Sequence, residues 1–187
     1  NPTDFQYFGK YNIVPSVQPT HATSDMYWAE ERLGSERIKT AYAYQDLLKQ
    51  NGWVALGTDF PVEDINPFKT FLASVARKDA QNYPENGFQR ENALTREQTL
   101  RGMTIWAAKS VFQEKERGSL EVGKNADFII LNQDLMNIDE KDILKTNVLE
   151  TWVDGTKSYY NQKYFDDLAK KLSGRIVSLD IIEAKAK

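Results

Sequence analysis

The sequence predicts a mixed α/β chain, parallel in its first part and antiparallel toward its end, on three observations. A β-branched run, a helical segment and a second apolar run follow one another between residues 11 and 57. Two further helix starts carry recognisable caps, at Asn66-Pro67 and at Thr95 with Gln98. From Gly118 onward, turn residues separate short β-branched strands.

The first run, Tyr11-Asn-Ile-Val-Pro-Ser-Val17, reads as a buried strand that ends at Gln18-Pro19-Thr20-His21. After a polar loop and Gly34, residues 35–50 place Ile38, Ala41, Leu47 and Leu48 at helical spacing, and Asn51-Gly52 stops them. Trp53-Val-Ala-Leu56 is a second buried strand running into Gly57-Thr58-Asp59. Parallel neighbours need a crossover, and that crossover is usually helical, so strand, helix and strand form a parallel unit. His21 and Asp59 then fall after the carboxyl ends of the two strands, the edge where such folds bind ligands.

Asn66 is an N-cap with Pro67 at the first helical position, and Phe68, Phe71, Leu72 and Val75 form the buried stripe. Residues 78–92 are polar, contain Pro84 and Gly87, and read as a loop. Thr95 and Gln98 have capping-box spacing, which predicts a helix to about Phe112 with Leu100, Met103, Ala107 and Val111 on one face. The polar residues 113–117 end it as a solvated terminus. Trp53, Trp106 and Trp152 lie in apolar segments and are expected in the core.

Beyond Gly118, Phe128-Ile-Ile-Leu131 is a strand, and Val148-Leu-Glu-Thr-Trp-Val153 runs through Asp154-Gly155 into a hairpin with residues 157–160. Within residues 161–187, Tyr164, Phe165, Leu168 and Leu172 suit a short helix and residues 176–182 a last strand. The closing Glu183-Ala-Lys-Ala-Lys187 is expected to fray.

Composition excludes several function classes. With 24 Lys+Arg against 27 Asp+Glu the net charge is −3, which gives no electrostatic reason to bind nucleic acid or an anionic membrane. At 41% apolar residues the chain can build a core and is expected to be soluble; no apolar run is long enough to span a bilayer. Absence of cysteine removes disulfides, thiolate zinc sites and Cys nucleophiles, and leaves the compartment undecided. Gly52 and Gly57 have phosphate-loop spacing, but Thr58-Asp59 stands where Lys-Ser/Thr is required.

With one histidine, His21, the chain alone cannot form a multi-histidine metal cage. Singly, His21 reads as a hydrogen-bonded structural residue or a ligand, and Asp59 as a cap, a turn residue or a ligand. Together, an imidazole and a carboxylate at neighbouring strand ends can converge on a divalent ion, and an aspartate beside metal-bound water can accept its proton. Asp25, Trp28, Glu31 and Arg32 follow His21, where they either border a substrate pocket or pack and pair at the surface.

Five motifs occur in an order that resembles the amidohydrolase superfamily: Gln18-Pro-Thr-His-Ala-Thr-Ser-Asp25, Trp28-Ala-Glu-Glu-Arg-Leu-Gly34, Gly57-Thr-Asp-Phe-Pro-Val62, Leu94-Thr-Arg-Glu-Gln98 and Gly118-Ser-Leu-Glu-Val-Gly-Lys-Asn-Ala-Asp127. They are most similar to the metal-dependent hydrolases related to N-substituted formamide deformylase. The resemblance covers about residues 10–160. It implies a (β/α)8 barrel carrying a small β-sandwich. It also implies that His21 is the metal-binding histidine after the sixth barrel strand, and that Asp59, after the eighth, binds metal and shuttles protons. A seventh strand is then required between them, with Thr40 to Tyr44 its expected place.

The family's other histidines and its bridging residue have no counterpart among these 187 residues, and a complete barrel takes roughly 250. The expected reading is the carboxyl-terminal part of a barrel over residues 1–117, sandwich strands over 118–160 and a tail over 161–187. The implied whole is a zinc-type, divalent-metal hydrolase of C–N bonds in a small amide-type substrate. This chain alone is expected to be inactive, to pair with the missing amino-terminal part of the protein and to self-associate through open strand edges. The alternatives are a non-catalytic interaction or scaffold module, or a small-ligand binding domain.

Overall fold

Two residues per strand are enough to organise the first part of the molecule. In the computed structural model, which describes residues 2–185, β1 (Ser16–Val17) pairs in parallel with β2 (Ala55–Leu56), Val17 opposite Leu56. Gly57 N–H donates to Val17 O at 3.1 Å, and Ala55 N–H to Pro15 O at 3.0 Å. Both strands therefore leave the sheet on the same edge.

The connection between them is helical, as the parallel unit requires. It comprises α2 (Pro19–Asp25), α3 (Ala29–Arg37), a 3-10 turn at Ile38–Thr40 and α4 (Tyr44–Asn51). Gly34, at φ 78° and ψ 160°, kinks α3, a backbone conformation that favours glycine. The single helix expected over residues 35–50 is also interrupted, by the 3-10 turn and the non-helical residues 41–43 that follow it. Gly52, left-handed at φ 75°, closes α4 with its N–H on Leu48 O.

Two expectations for this region are corrected. Residues 11–15 are not a buried strand: α1 (Phe5–Lys10) precedes them, and Tyr11 and Ile13 are exposed. No strand lies over residues 40–44, and β1 pairs directly with β2, so the strands before His21 and Asp59 are neighbours and not a sixth and an eighth with a seventh between them. Tyr42 takes a left-handed φ of 55°, which breaks extended structure before α4 begins.

The core joins Ala22, Tyr44, Leu48, Val54, Leu56 and Leu94, with Val17, Phe88, Met103 and Trp106 packed against them. Helix α5 (Pro67–Ala76) starts as its sequence predicts: Asn66 Oδ1 accepts from Phe68 N–H, and Phe68, Phe71, Leu72 and Val75 are buried. Helix α6 (Arg96–Met103) has the full capping box, with Thr95 and Gln98 bonding reciprocally.

The long helix expected to Phe112 breaks at Thr104, whose φ is −125° and ψ −95°, and α7 (Ile105–Ser110) begins a new direction. Thr104 Oγ1 donates back to Leu100 O at 2.7 Å, the local bond by which threonine competes with helix geometry. Leu100 and Val111 are consequently exposed, not part of a buried face.

The chain clusters into two compact units, one running to Asn125 and including Gln133–Thr146, the other formed by Ala126–Asn132 and the chain from Asn147. The second holds one antiparallel sheet of β3 (Phe128–Leu131), β4 (Val148–Val153) and β5 (Thr156–Tyr160) in that order. The hairpin turns at Asp154-Gly155 as predicted, with φ of 49° and 71°. Phe128 stacks on Trp152 with ring centroids 5.6 Å apart.

Helix α8 (Gln162–Lys185) replaces the short helix and last strand expected after residue 161, and Leu168 and Leu172 are exposed on it. Of the segment expected to fray, residues 186 and 187 lie outside the described residues. No helix among the described residues is long and apolar enough to cross a membrane.

Candidate functional site

His21 sits in the first turns of α2, four residues past the end of β1; Asp59 follows β2 by three. Because the strands are parallel and in register, the two side chains meet at the sheet's carboxyl edge. His21 Nε2 stands 3.3 Å from Asp59 Oδ2, with side-chain exposures of 30% and 45%. Nε2 is nevertheless buried and has no hydrogen-bond partner, so the pair is close without being aligned as a hydrogen bond.

Asp59 is held by its own turn. Its φ is 58°, and its carbonyl accepts from Val62 N–H at 2.8 Å and Glu63 N–H at 3.3 Å. Glu63 in turn accepts from Ser24 Oγ at 2.6 Å, tying α2 to the turn that carries Asp59. This link is invisible in the sequence, where serine and glutamate are far apart.

A cavity of about 310 Å³ opens beside α2, lined by Thr20, Ser24, Tyr27, Glu63, Lys69 and Asp79 among others. Neither His21 nor Asp59 lines it, nor do Asp25, Trp28, Glu31 and Arg32. Asp25 instead accepts from Tyr42 Oη at 2.7 Å, while Trp28 is exposed. The Tyr27 hydroxyl, bonded to Asp79, is pushed up to about 12 by that bond and the nearby negative charge. Lys69 reaches Asp64 at 2.7 Å and holds that carboxyl below the usual carboxylate range.

Three polar side chains packed near α2 carry no distinctive signal in the sequence: Tyr44 and Arg77, which are buried, and Tyr42, which is half-buried. Burial pushes Tyr44 up to about 12, and burial together with the bond to Asp25 pushes Tyr42 higher still. Arg77, fully buried, lies over the Tyr44 ring at 4.8 Å. An arginine at the end of an apolar helix was the available signal, and a solvated helix end has the same signature.

The donor set can be tested for a divalent ion. Two ligands each about 2.1 Å from a tetrahedral ion lie about 3.4 Å apart, which matches the observed 3.3 Å. The orphaned imidazole nitrogen faces a carboxylate, the chemistry that suits such an ion. The pair fits part of a site: no group of three or more His, Asp or Glu able to hold a metal occurs among the described residues.

Residues 3–159 match the sequence pattern of the Amidohydrolase family. The chain belongs to that family. It is 37% identical to the protein LONG AFTER FAR-RED 3 of Arabidopsis thaliana over 81% of this chain and 26% of that one. To the N-substituted formamide deformylase of Arthrobacter pascens it is 30% identical, over 57% of this chain and 19% of that protein. Among solved structures, an uncharacterized metal-dependent hydrolase from Pyrococcus horikoshii superposes with a TM-score of 0.66 at 29% identity, covering 75% of this chain and 28% of the other. The chain thus spans about a quarter of the length of these relatives.

Proposed function

We propose that this amidohydrolase-family chain supplies two ligands, His21 and Asp59, to a divalent-metal site in a hydrolase that cleaves the C–N bond of a small amide-type substrate. The observation that carries the reading is the 3.3 Å approach of an unpartnered imidazole nitrogen to a carboxylate at the carboxyl edge of a parallel sheet. The donor chemistry suits zinc, and relatives described as metal-dependent hydrolases and as a formamide deformylase support the class. In this reading β1, β2 and their helices are the last part of a (β/α)8 barrel, and the antiparallel sheet belongs to a small sandwich.

A bound divalent ion polarises a carbonyl and lowers the pKa of water. His21 contributes a neutral nitrogen donor and no proton chemistry. Asp59, partly exposed and presented by its turn, takes the proton from the attacking water and returns it to the leaving amine. The remaining ligands come from the amino-terminal part of the whole protein, so this chain by itself binds metal weakly and is inactive.

Zinc titration of the 187-residue chain, followed by NMR at the His21 ring, tests the reading. We expect saturable, weak shifts at His21 that vanish in His21→Ala and shrink in Asp59→Asn. No response at His21, or one indifferent to Asp59→Asn, refutes the shared site and favours a non-catalytic module. Tight binding would instead refute the need for further ligands.

A further inference from the structure

The helix that carries His21 is tied at both ends by neighbouring tyrosines. Tyr44 Oη donates to Gln18 O at 3.0 Å, just ahead of α2, and the same carbonyl takes the His21 peptide N–H at 3.0 Å. Tyr42 Oη donates to Asp25 Oδ2 at 2.7 Å, at the last residue of α2. Moving either tyrosine therefore moves the segment on which the imidazole is mounted.

One guanidinium backs the Tyr44 ring directly and reaches the Tyr42 ring through Phe88. Arg77 lies 4.8 Å from the Tyr44 ring centroid and 5.8 Å from that of Phe88, and Phe88 meets Tyr42 edge-on at 6.1 Å. Its side chain donates from Nε to Phe88 O at 2.9 Å and from Nη2 to Gln89 Oε1 at 3.2 Å; Nη1 has no partner. Both acceptors are neutral. A fully buried cation whose hydrogen bonds among the described residues go to neutral groups is a costly arrangement, which ring faces and the charge of Glu91 offset in part. Arg77 also holds a left-handed φ of 56° at the end of α5, which few non-glycine residues adopt.

We infer that Arg77 is a positioning residue for His21, acting through Tyr44 and Tyr42 on the two ends of α2. The planar guanidinium gives Tyr44 a flat surface to rest on while its edge bonds fix the 88–89 turn, a combination lysine cannot reproduce. Its relevance to chemistry rests on the reading of His21 as a ligand, but the clamp itself does not.

The test uses the metal-free 187-residue chain, measuring amide hydrogen exchange at His21 and Ala22 alongside global stability, and then zinc titration. Tyr44→Phe and Arg77→Lys are expected to raise exchange at those amides about tenfold beyond any global change and to weaken zinc binding about tenfold. Thr95→Ala, which loosens the α6 cap, serves as a control that lowers global stability without this local effect. Unchanged local exchange in folded Arg77→Lys or in folded Tyr44→Phe overturns the inference, as does an equal rise in the control. If Arg77→Lys does not fold, Phe88→Leu, which removes the ring between the guanidinium and Tyr42, takes its place, and unchanged exchange at His21 and Ala22 in that variant overturns the inference. If zinc never perturbs His21 in the parent chain, the metal reading fails while exchange still judges the clamp.

Discussion

Gly102 lies flush against Leu56: a methyl group on it would come within 2.6 Å of Leu56 Cγ and 3.1 Å of Val54 O. The helix α6 therefore rests directly on the strand that leads to Asp59.

Gly102→Ala is expected to destabilise the chain. Overpacking costs about 1–3 kcal/mol, against about 1 kcal/mol gained in helix propensity. Urea unfolding of Gly102→Ala, Leu56→Ala and the double variant checks the cause. The double variant should be less damaged than the sum of the singles, because truncating Leu56 makes room for the methyl. Additive losses would place the clash elsewhere.

Ser74 and Thr99 share a 2.7 Å hydrogen bond between fully buried hydroxyls on α5 and α6. Thr99→Val leaves Ser74 Oγ without that partner and should cost about 1–3 kcal/mol. Adding Ser74→Ala should recover part of the loss, since removing both polar groups is gentler than stranding one. A double variant as unstable as the sum would argue for lost packing alone.

Asn66→Ala removes the cap of α5 and is expected to lower stability by about 1 kcal/mol. Asn66→Asp, which keeps an acceptor for the Phe68 N–H, should restore most of it. Thermal unfolding of the pair distinguishes a cap from a general effect of polarity.

Tyr44 is raised from 10.0 to about 12. The folded state thus keeps its proton where the unfolded chain has lost it. Its contribution is full below pH 10 and is lost as pH rises from 10 through 12, at roughly 1.4 kcal/mol per pH unit for a fully shifted group. Alkaline titration of stability should show a shallower decline in Tyr44→Phe than in the parent chain. Parallel declines would mean that Tyr44 ionises as freely folded as unfolded.

What could be read from the sequence was whatever a few neighbouring residues decide. Asn66-Pro67, Thr95 with Gln98 and Asp154-Gly155 each satisfy or bend their own backbone, so their elements stand where expected. The break at Thr104 follows from a hydroxyl bond to Leu100 O, which apolar spacing does not encode. The family resemblance places a barrel strand at Thr40 to Tyr44, whereas Tyr42 turns left-handed and both Tyr42 and Tyr44 serve α2. His21 and Asp59 were legible as a pair because parallel strands send their carboxyl ends to one edge. Arg77 was not, since nothing in its neighbours tells a buried guanidinium from a solvated one.

The backbone of Asp59, at φ 58°, has a practical consequence for mutagenesis. Asparagine tolerates that conformation and alanine resists it, so an alanine scan would blend a conformational penalty with the removal of a carboxylate and overstate the latter. Asparagine changes the charge and leaves the bend; glycine relaxes the bend and removes the side chain. Comparing the three at this position separates what the carboxylate does from what its unusual peptide geometry imposes.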